Sequence, residues 1–172
     1  MSCGVRLPTR KKCHPECSIP ASSDSPSPGT TRRLRKEIRN LEEDPLTADG
    51  ISAHPVKNGE DLFHWTGSLV HPTTEANLKV DIHIPPTYPL APPCLIVSPR
   101  IWHPNVCPKS GMVSLPDCEE KNWCPALCVR HLLISLQALL AEPKLELEEG
   151  CVLNEEAVEM WIGAKRGARV YG

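Results

Sequence analysis

Leu34, Ile38 and Leu41 stand at i, i+4 and i+7 with arginines and glutamates between them, the spacing of one apolar stripe on a helix. Asp44-Pro45 closes that helix, because the residue before a proline is pushed out of the helical region. The period then changes. Apolar runs of strand length cover residues 62–70, 78–84 and 94–97, and a shorter strand is predicted over 50–54. Asn58-Gly59 and His71-Pro72 supply turns between them. Loops this short join antiparallel neighbours, so a four-stranded meander is predicted, with the first helix laid on one face. Further on, Leu127, Leu132, Leu133, Leu136, Leu139 and Leu140 trace a second helical stripe that ends at Pro143, with Pro125 placed to open the helix at its first position. Val158 and Trp161 predict a last helix over residues 153–161, which Gly163, Gly167 and Gly172 should break up. The order is that of an α+β fold.

Length and composition narrow the class. A chain of 172 residues is sized for one domain. Residues 1–30 mix Ser, Pro and basic residues without an apolar period and read as a disordered tail, leaving 31–172 as the folded core. Nineteen prolines are about twice the usual share, and ten of them lie between Pro85 and Pro125, which predicts stiff irregular loops there. The net charge of −2 provides no global field for nucleic acid or an anionic membrane. Locally the chain is polar end to end: residues 1–36 carry eight Lys/Arg, and residues 141–160 carry seven Glu.

Nine cysteines cannot all pair within one chain. With no apolar signal segment in residues 1–30 and no span long enough for a bilayer, an intracellular, reducing location with free thiols is expected, in cytoplasm or nucleus. The spacings Cys13-x3-Cys17 and Cys124-x3-Cys128 lack a second pair to complete four zinc ligands, so no metal is expected.

Four motifs follow one another: Tyr88-Pro89-Leu90-Ala91-Pro92-Pro93, Trp102-His103-Pro104-Asn105, Gly111-Met112-Val113-Ser114-Leu115 and Trp123-Cys124-Pro125-Ala126-Leu127. This ordered set resembles the core of the ubiquitin-conjugating (E2) enzymes, whose pattern reads YPxxPP, HPN, GxIC(L) and W(S)PAL. Single pieces carry little; their order, with the flanking helices, carries the resemblance over roughly residues 31–161. Gly50-Ile51-Ser52-Ala53-His54-Pro55, Leu62-Phe63-His64-Trp65-Thr66-Gly67 and Leu153-Asn154 with Met160-Trp161 are most similar to the branch that serves the anaphase-promoting complex.

The resemblance implies an N-terminal helix, a four-stranded meander, a central helix and a shortened C-terminal helical region. It also implies transthiolation: an ATP-dependent activating enzyme passes the carboxyl terminus of ubiquitin to a cysteine of the E2, which hands it to a substrate lysine amine with a ligase holding the parts. Partners would be ubiquitin, the activating enzyme and a RING-type ligase such as the anaphase-promoting complex, with the E2 a monomer and no cofactor of its own. Asn105 matches the family's oxyanion donor, and His103 and Pro104 the turn that holds it. Arg32, Arg33, Arg35 and Lys36 lie on the helix that docks the activating enzyme. Leu90 with Cys124, Pro125 and Ala126 match the loops where ligases bind.

One position departs from the pattern where it matters most. The family's nucleophilic cysteine is Ser114 here. A hydroxyl is a far weaker nucleophile than a thiolate at neutral pH, and an ester is a poorer acyl donor than a thioester, so turnover should be severely reduced. Three explanations stay open: a natural E2 variant that binds without catalysing, an enzyme that uses another thiol, or a deliberate Cys-to-Ser exchange that traps a stable conjugate. Cys118, four residues on and beside Asp117, is the best alternative thiol, and Cys107 a weaker one. The segment after His71-Pro72 is also short of the usual hairpin. An acidic insertion at 144–152 stands where the family has a short loop, and its glutamates would raise the pKa of a nearby thiol. The rival function is a non-catalytic adaptor for ubiquitin, ligase or a true E2; a serine hydrolase is disfavoured because no G-x-S-x-G elbow surrounds Ser114.

Overall fold

The computed structural model describes residues 27–56, 61–145 and 153–168, with side chains to 164. Residues 1–26, the Asn58-Gly59 turn, the Cys13–Cys17 spacing and most of the acidic insertion lie outside the described residues.

Helix α1 spans Pro28–Glu43 and starts three residues before Thr31. The reason is local: Ser27 is an N-cap whose Oγ accepts the Thr30 N–H at 3.1 Å, and Pro28 fits the first helical turn. A 3-10 turn, Leu46–Asp49, leads through Gly50 at φ 69 into the sheet. Strands β1 (Ile51–Val56), β2 (Asp61–Val70), β3 (Asn77–His83) and β4 (Cys94–Ser98) form an antiparallel sheet in the order β1-β2-β3-β4. The meander expected from the alternating runs is therefore present.

The pleat sorts the side chains. Trp65, Leu69, Leu78, Val80, Ile82, Leu95 and Val97 are all buried on one face. Ser52 and Ser68 pair on the other, their hydroxyls 2.8 Å apart. Helix α2 (Val129–Ala141) lays Leu132, Leu133, Leu136, Leu139 and Leu140 into the same core, which Leu34 of α1 joins. Each such fully buried side chain contributes roughly 1.5–3 kcal/mol by leaving water.

Two helix boundaries differ from expectation. Helix α2 begins at Val129 with Cys128 at its cap, so Pro125 sits in the preceding turn, where the Leu127 N–H donates to the Cys124 carbonyl at 2.9 Å, and Leu127 is outside the helix. Helix α3 runs Glu155–Ala168, past Trp161 and through Gly163 and Gly167. An exposed glycine costs a helix only about 1 kcal/mol. Gly163 is exposed, and a Cβ there would meet nothing within 4 Å, so neither strain nor packing stops the helix. No helix of the described residues is long and apolar enough to cross a membrane.

Candidate functional site

Past β4 the chain enters a tight turn built on His103, Pro104 and Asn105, in which the His103 and Asn105 side chains are 3% and 0% exposed. His103 Nδ1 accepts the Asn105 N–H at 3.1 Å, which leaves Nε2 to donate to the Leu139 carbonyl of α2 at 3.2 Å. Burial pushes this imidazole down to about 4; the Leu139 carbonyl opposes the shift, and His71 adds to it. His103 is thus neutral at pH 7 and holds the turn against α2, as the resemblance implies.

From Asn105 the chain folds back on itself. Val106 bridges Val113, the Cys107 N–H donates to the Met112 carbonyl, and the Gly111 N–H donates to the Cys107 carbonyl, both at 2.8 Å. At the top of this hairpin Gly111 has φ 78, and a Cβ there would fall 2.4 Å from the Val97 carbonyl, so only glycine lets the hairpin seat against β4. The consequence is one hydrogen bond: the Ser114 N–H donates to the Asn105 carbonyl at 2.8 Å. Ser114, partly buried, and Asn105 are brought side by side from positions nine apart in the chain.

The Asn105 side chain carries a load the motif did not reveal. Its Nδ2 donates to the Lys144 carbonyl at 2.9 Å and its Oδ1 accepts the Lys144 N–H at 3.0 Å. Both ends of the amide clamp the segment leaving α2. The expected oxyanion donor already has one amide hydrogen committed to Lys144.

The alternative thiols fare differently from expectation. Cys118 ends a 3-10 turn, Pro116–Cys118, and packs against the hydrophobic core. Burial first, and Asp117 second, push its thiol up to about 12. Burial at that position disfavours the thiolate, which weighs against Cys118 as a replacement nucleophile. Cys107 is 3% exposed, shut in behind the hairpin.

The two loops matched to ligase docking are tied together from beneath. The Trp123 indole N–H donates to the Pro89 carbonyl at 2.8 Å, and its ring lies 6.1 Å from that of Tyr88. Leu90, 78% exposed, and the exposed Cys124, Pro125 and Ala126 stand on this frame. Beneath it Glu37 of α1 is 5% exposed and accepts three donors: Arg33 Nε and the Tyr88 hydroxyl at 2.6 Å on Oε1, and the Val129 N–H at 2.9 Å on Oε2. Glu37 thereby caps α2 from a helix 92 residues earlier, which is why α2 starts where it does. Burial, more than Glu37 itself, keeps the Tyr88 phenol protonated.

Arg33, one of the expected docking cations, is engaged inside the fold. Its guanidinium donates to Glu37 and, at 2.9 Å, to the Leu127 carbonyl, so it braces the loop before α2 and is not an open docking cation. Arg32, Arg35 and Lys36 do face solvent, and Arg32 and Arg35 line a shallow groove with Ile38 and Arg39. Sequence reading passed over Glu37. The available signal was a lone acid three residues after Leu34 on the core side of a basic helix.

Against known proteins, the family model for ubiquitin-conjugating enzymes matches residues 33–167. A fission yeast (Schizosaccharomyces pombe) ubiquitin-conjugating enzyme E2-20 kDa is 35% identical over 135 residues, covering 76% of this chain and 72% of the relative. A Toxoplasma gondii ubiquitin-conjugating enzyme E2 domain superposes with a TM-score of 0.63 at 32% identity, covering 77% of this chain and 86% of that one. The human ubiquitin-conjugating enzyme E2 G1 superposes at 0.62 and 29% identity, covering 69% of this chain and 100% of that one. The α+β core of four antiparallel strands and three helices is the one these structures share. By sequence model, curated relative and fold alike, the chain belongs to the ubiquitin-conjugating enzyme family.

Proposed function

We propose that this chain is an E2-like ubiquitin carrier whose acyl transfer is impaired by Ser114. It accepts ubiquitin from an activating enzyme slowly, as an oxyester, and passes it on to a lysine more slowly still. The observation that supports the reading is the bond between the Ser114 N–H and the Asn105 carbonyl, which sets the residue matched to the family's nucleophile, a serine here, beside the HPN turn. Arg32, Arg35 and Lys36 on α1 and the Leu90 and Cys124–Ala126 loops are exposed, which is consistent with the docking roles the family implies. A RING ligase such as the anaphase-promoting complex fits the branch-like segments around Ile51, Trp65 and Asn154. One observation favours a second reading, a non-catalytic adaptor: the thiol nearest along the chain, Cys118, is held protonated.

The test is a gel. The protein is incubated with activating enzyme, ATP and ubiquitin, then split between reductant and hydroxide. A slow, reductant-resistant, hydroxide-labile conjugate is expected, and Ser114→Cys should convert it to a fast, reductant-sensitive one. A reductant-sensitive conjugate on the unsubstituted protein would overturn the proposal. No conjugate, with ligase or ubiquitin still bound, selects the adaptor.

A further inference from the structure

The peptide joining Pro104 to Asn105 is gripped on both edges. Its N–H donates to His103 Nδ1 at 3.1 Å. Its carbonyl, on Pro104, accepts two consecutive amides, Leu153 N–H at 2.9 Å and Asn154 N–H at 3.1 Å. A peptide is a rigid plane, so rotating this one would swing everything that leaves Asn105: its side chain on Lys144 and its carbonyl on Ser114. The His103 edge is fixed by α2. The other edge is fixed by the entry to α3.

What holds that entry is Asn154. It is 5% exposed and immediately precedes α3, its Oδ1 accepting the Ala157 N–H at 3.2 Å and its carbonyl the Val158 N–H at 3.3 Å. This is N-cap geometry, and it sets the direction of the two amides that precede the helix. The side chain keeps this place although its Nδ2 has no hydrogen-bond partner among the described residues. A buried donor left unmet is a cost that the cap must offset.

We infer that Asn154 is a positioning residue for acyl transfer: its cap holds the two amides just before α3 on the Pro104 carbonyl, and through that peptide fixes Asn105 beside Ser114. The inference rests on the transfer reading above and adds the entry to α3, to which the resemblance assigns no catalytic role, to the machinery. It touches neither ubiquitin nor the acyl group.

The experiment uses the full chain carrying Ser114→Cys, so that a thioester forms, and compares loading by the activating enzyme with discharge to free lysine. Added Asn154→Ala is expected to leave loading within about twofold and to slow discharge by about tenfold or more, because small misplacements of a positioned group have that effect. Asn154→Ser, which keeps the cap oxygen, should recover discharge to within about threefold of the parent. In the unsubstituted protein, Asn154→Ala should speed hydrogen exchange at the Asn105 amide by about tenfold or more, and Asn154→Ser should not. Discharge unchanged by Asn154→Ala, a serine variant as slow as the alanine one, or loading and discharge falling together would each overturn the inference. If the Ser114→Cys protein fails to load at all, it is the transfer reading that fails, and exchange at Asn105 alone then decides whether Asn154 holds the turn.

Discussion

Glu37 offers the sharpest test of how the docking surfaces are held. Its buried carboxylate accepts Arg33, the Tyr88 hydroxyl and the Val129 N–H. Glu37→Ala strands two buried donors, the phenol and the first amide of α2, and takes the partner from Arg33. Hydrogen bonds to a charged group contribute about 1.5–3 kcal/mol each, and breaking a buried charged pair from one side costs about 3–5 kcal/mol. Arg33 is only partly buried and keeps the Leu127 carbonyl as a partner, so it adds little to that sum. The expected loss is about 4 kcal/mol in urea unfolding, or on the order of 10 °C in melting temperature for a domain of this size. Glu37→Gln keeps the volume but turns an N–H toward one of the three donors, and should cost about half as much. Tyr88→Phe removes one donor from the same group, so its effect should shrink in the Glu37→Gln background, with a coupling of about 1 kcal/mol. Arg35→Ala, on the exposed side of the same helix, should stay within about 0.5 kcal/mol. A Glu37→Ala protein within 1 kcal/mol of the parent, or zero coupling to Tyr88, would refute the claim that this carboxylate holds α1, the Tyr88 loop and the start of α2 together.

Three other outcomes follow from the geometry. The His103 imidazole is pushed down to about 4 by burial, so the folded state favours its neutral form; its contribution is complete above pH 6.5 and is lost as pH falls from there towards 4. That amounts to roughly 3 kcal/mol, with His71 and His83, also lowered mainly by burial, acting in the same direction. About 2 kcal/mol of this is lost by pH 5, so urea midpoints at pH 7.5 and 5 should differ by that amount, and His103→Gln should flatten the difference; a pH-independent midpoint would contradict it. Gly111→Ala forces a Cβ to 2.4 Å from the Val97 carbonyl at φ 78 and should cost more than about 2 kcal/mol, measured by thermal unfolding. In the native protein at pH 7.5 a thiol reagent should label exposed Cys124 rapidly and leave Cys118 untouched until denaturant is added.

The sheet was legible in the sequence because each strand states its two faces locally. Trp65, Gly67 and Leu69 alternate with His64, Thr66 and Ser68, and the pairing Leu69 to Leu78 and Val80 to Val97 follows once the alternation is in register. The sequence singled out Ser114 and Asn105 only through the resemblance; the hairpin that sets them side by side, closed by Gly111 in a left-handed conformation, is seen only in the structure. The misread places share a cause, which is that the deciding partner lies far along the chain. Pro125 looks like a helix opener by every local rule, yet α2 opens at Val129 because a carboxylate from α1 waits there. Arg33 looks like one more exposed cation in a basic run until the carbonyl of Leu127 is found in front of it.

The same cause explains the limits of the motif at the site. HPN identifies Asn105 but says nothing of Lys144 on one side of it or Leu153 and Asn154 on the other, 39 or more residues away. A serine in place of a cysteine removes the nucleophile's reactivity without disturbing any bond that holds the turn, because Ser114 is held to it through its main-chain amide. Scaffold and chemistry are therefore separable in this chain. Putting sulfur at residue 114 tests the proposed reaction, whereas altering Glu37 or Asn154 tests the frame that holds the turn.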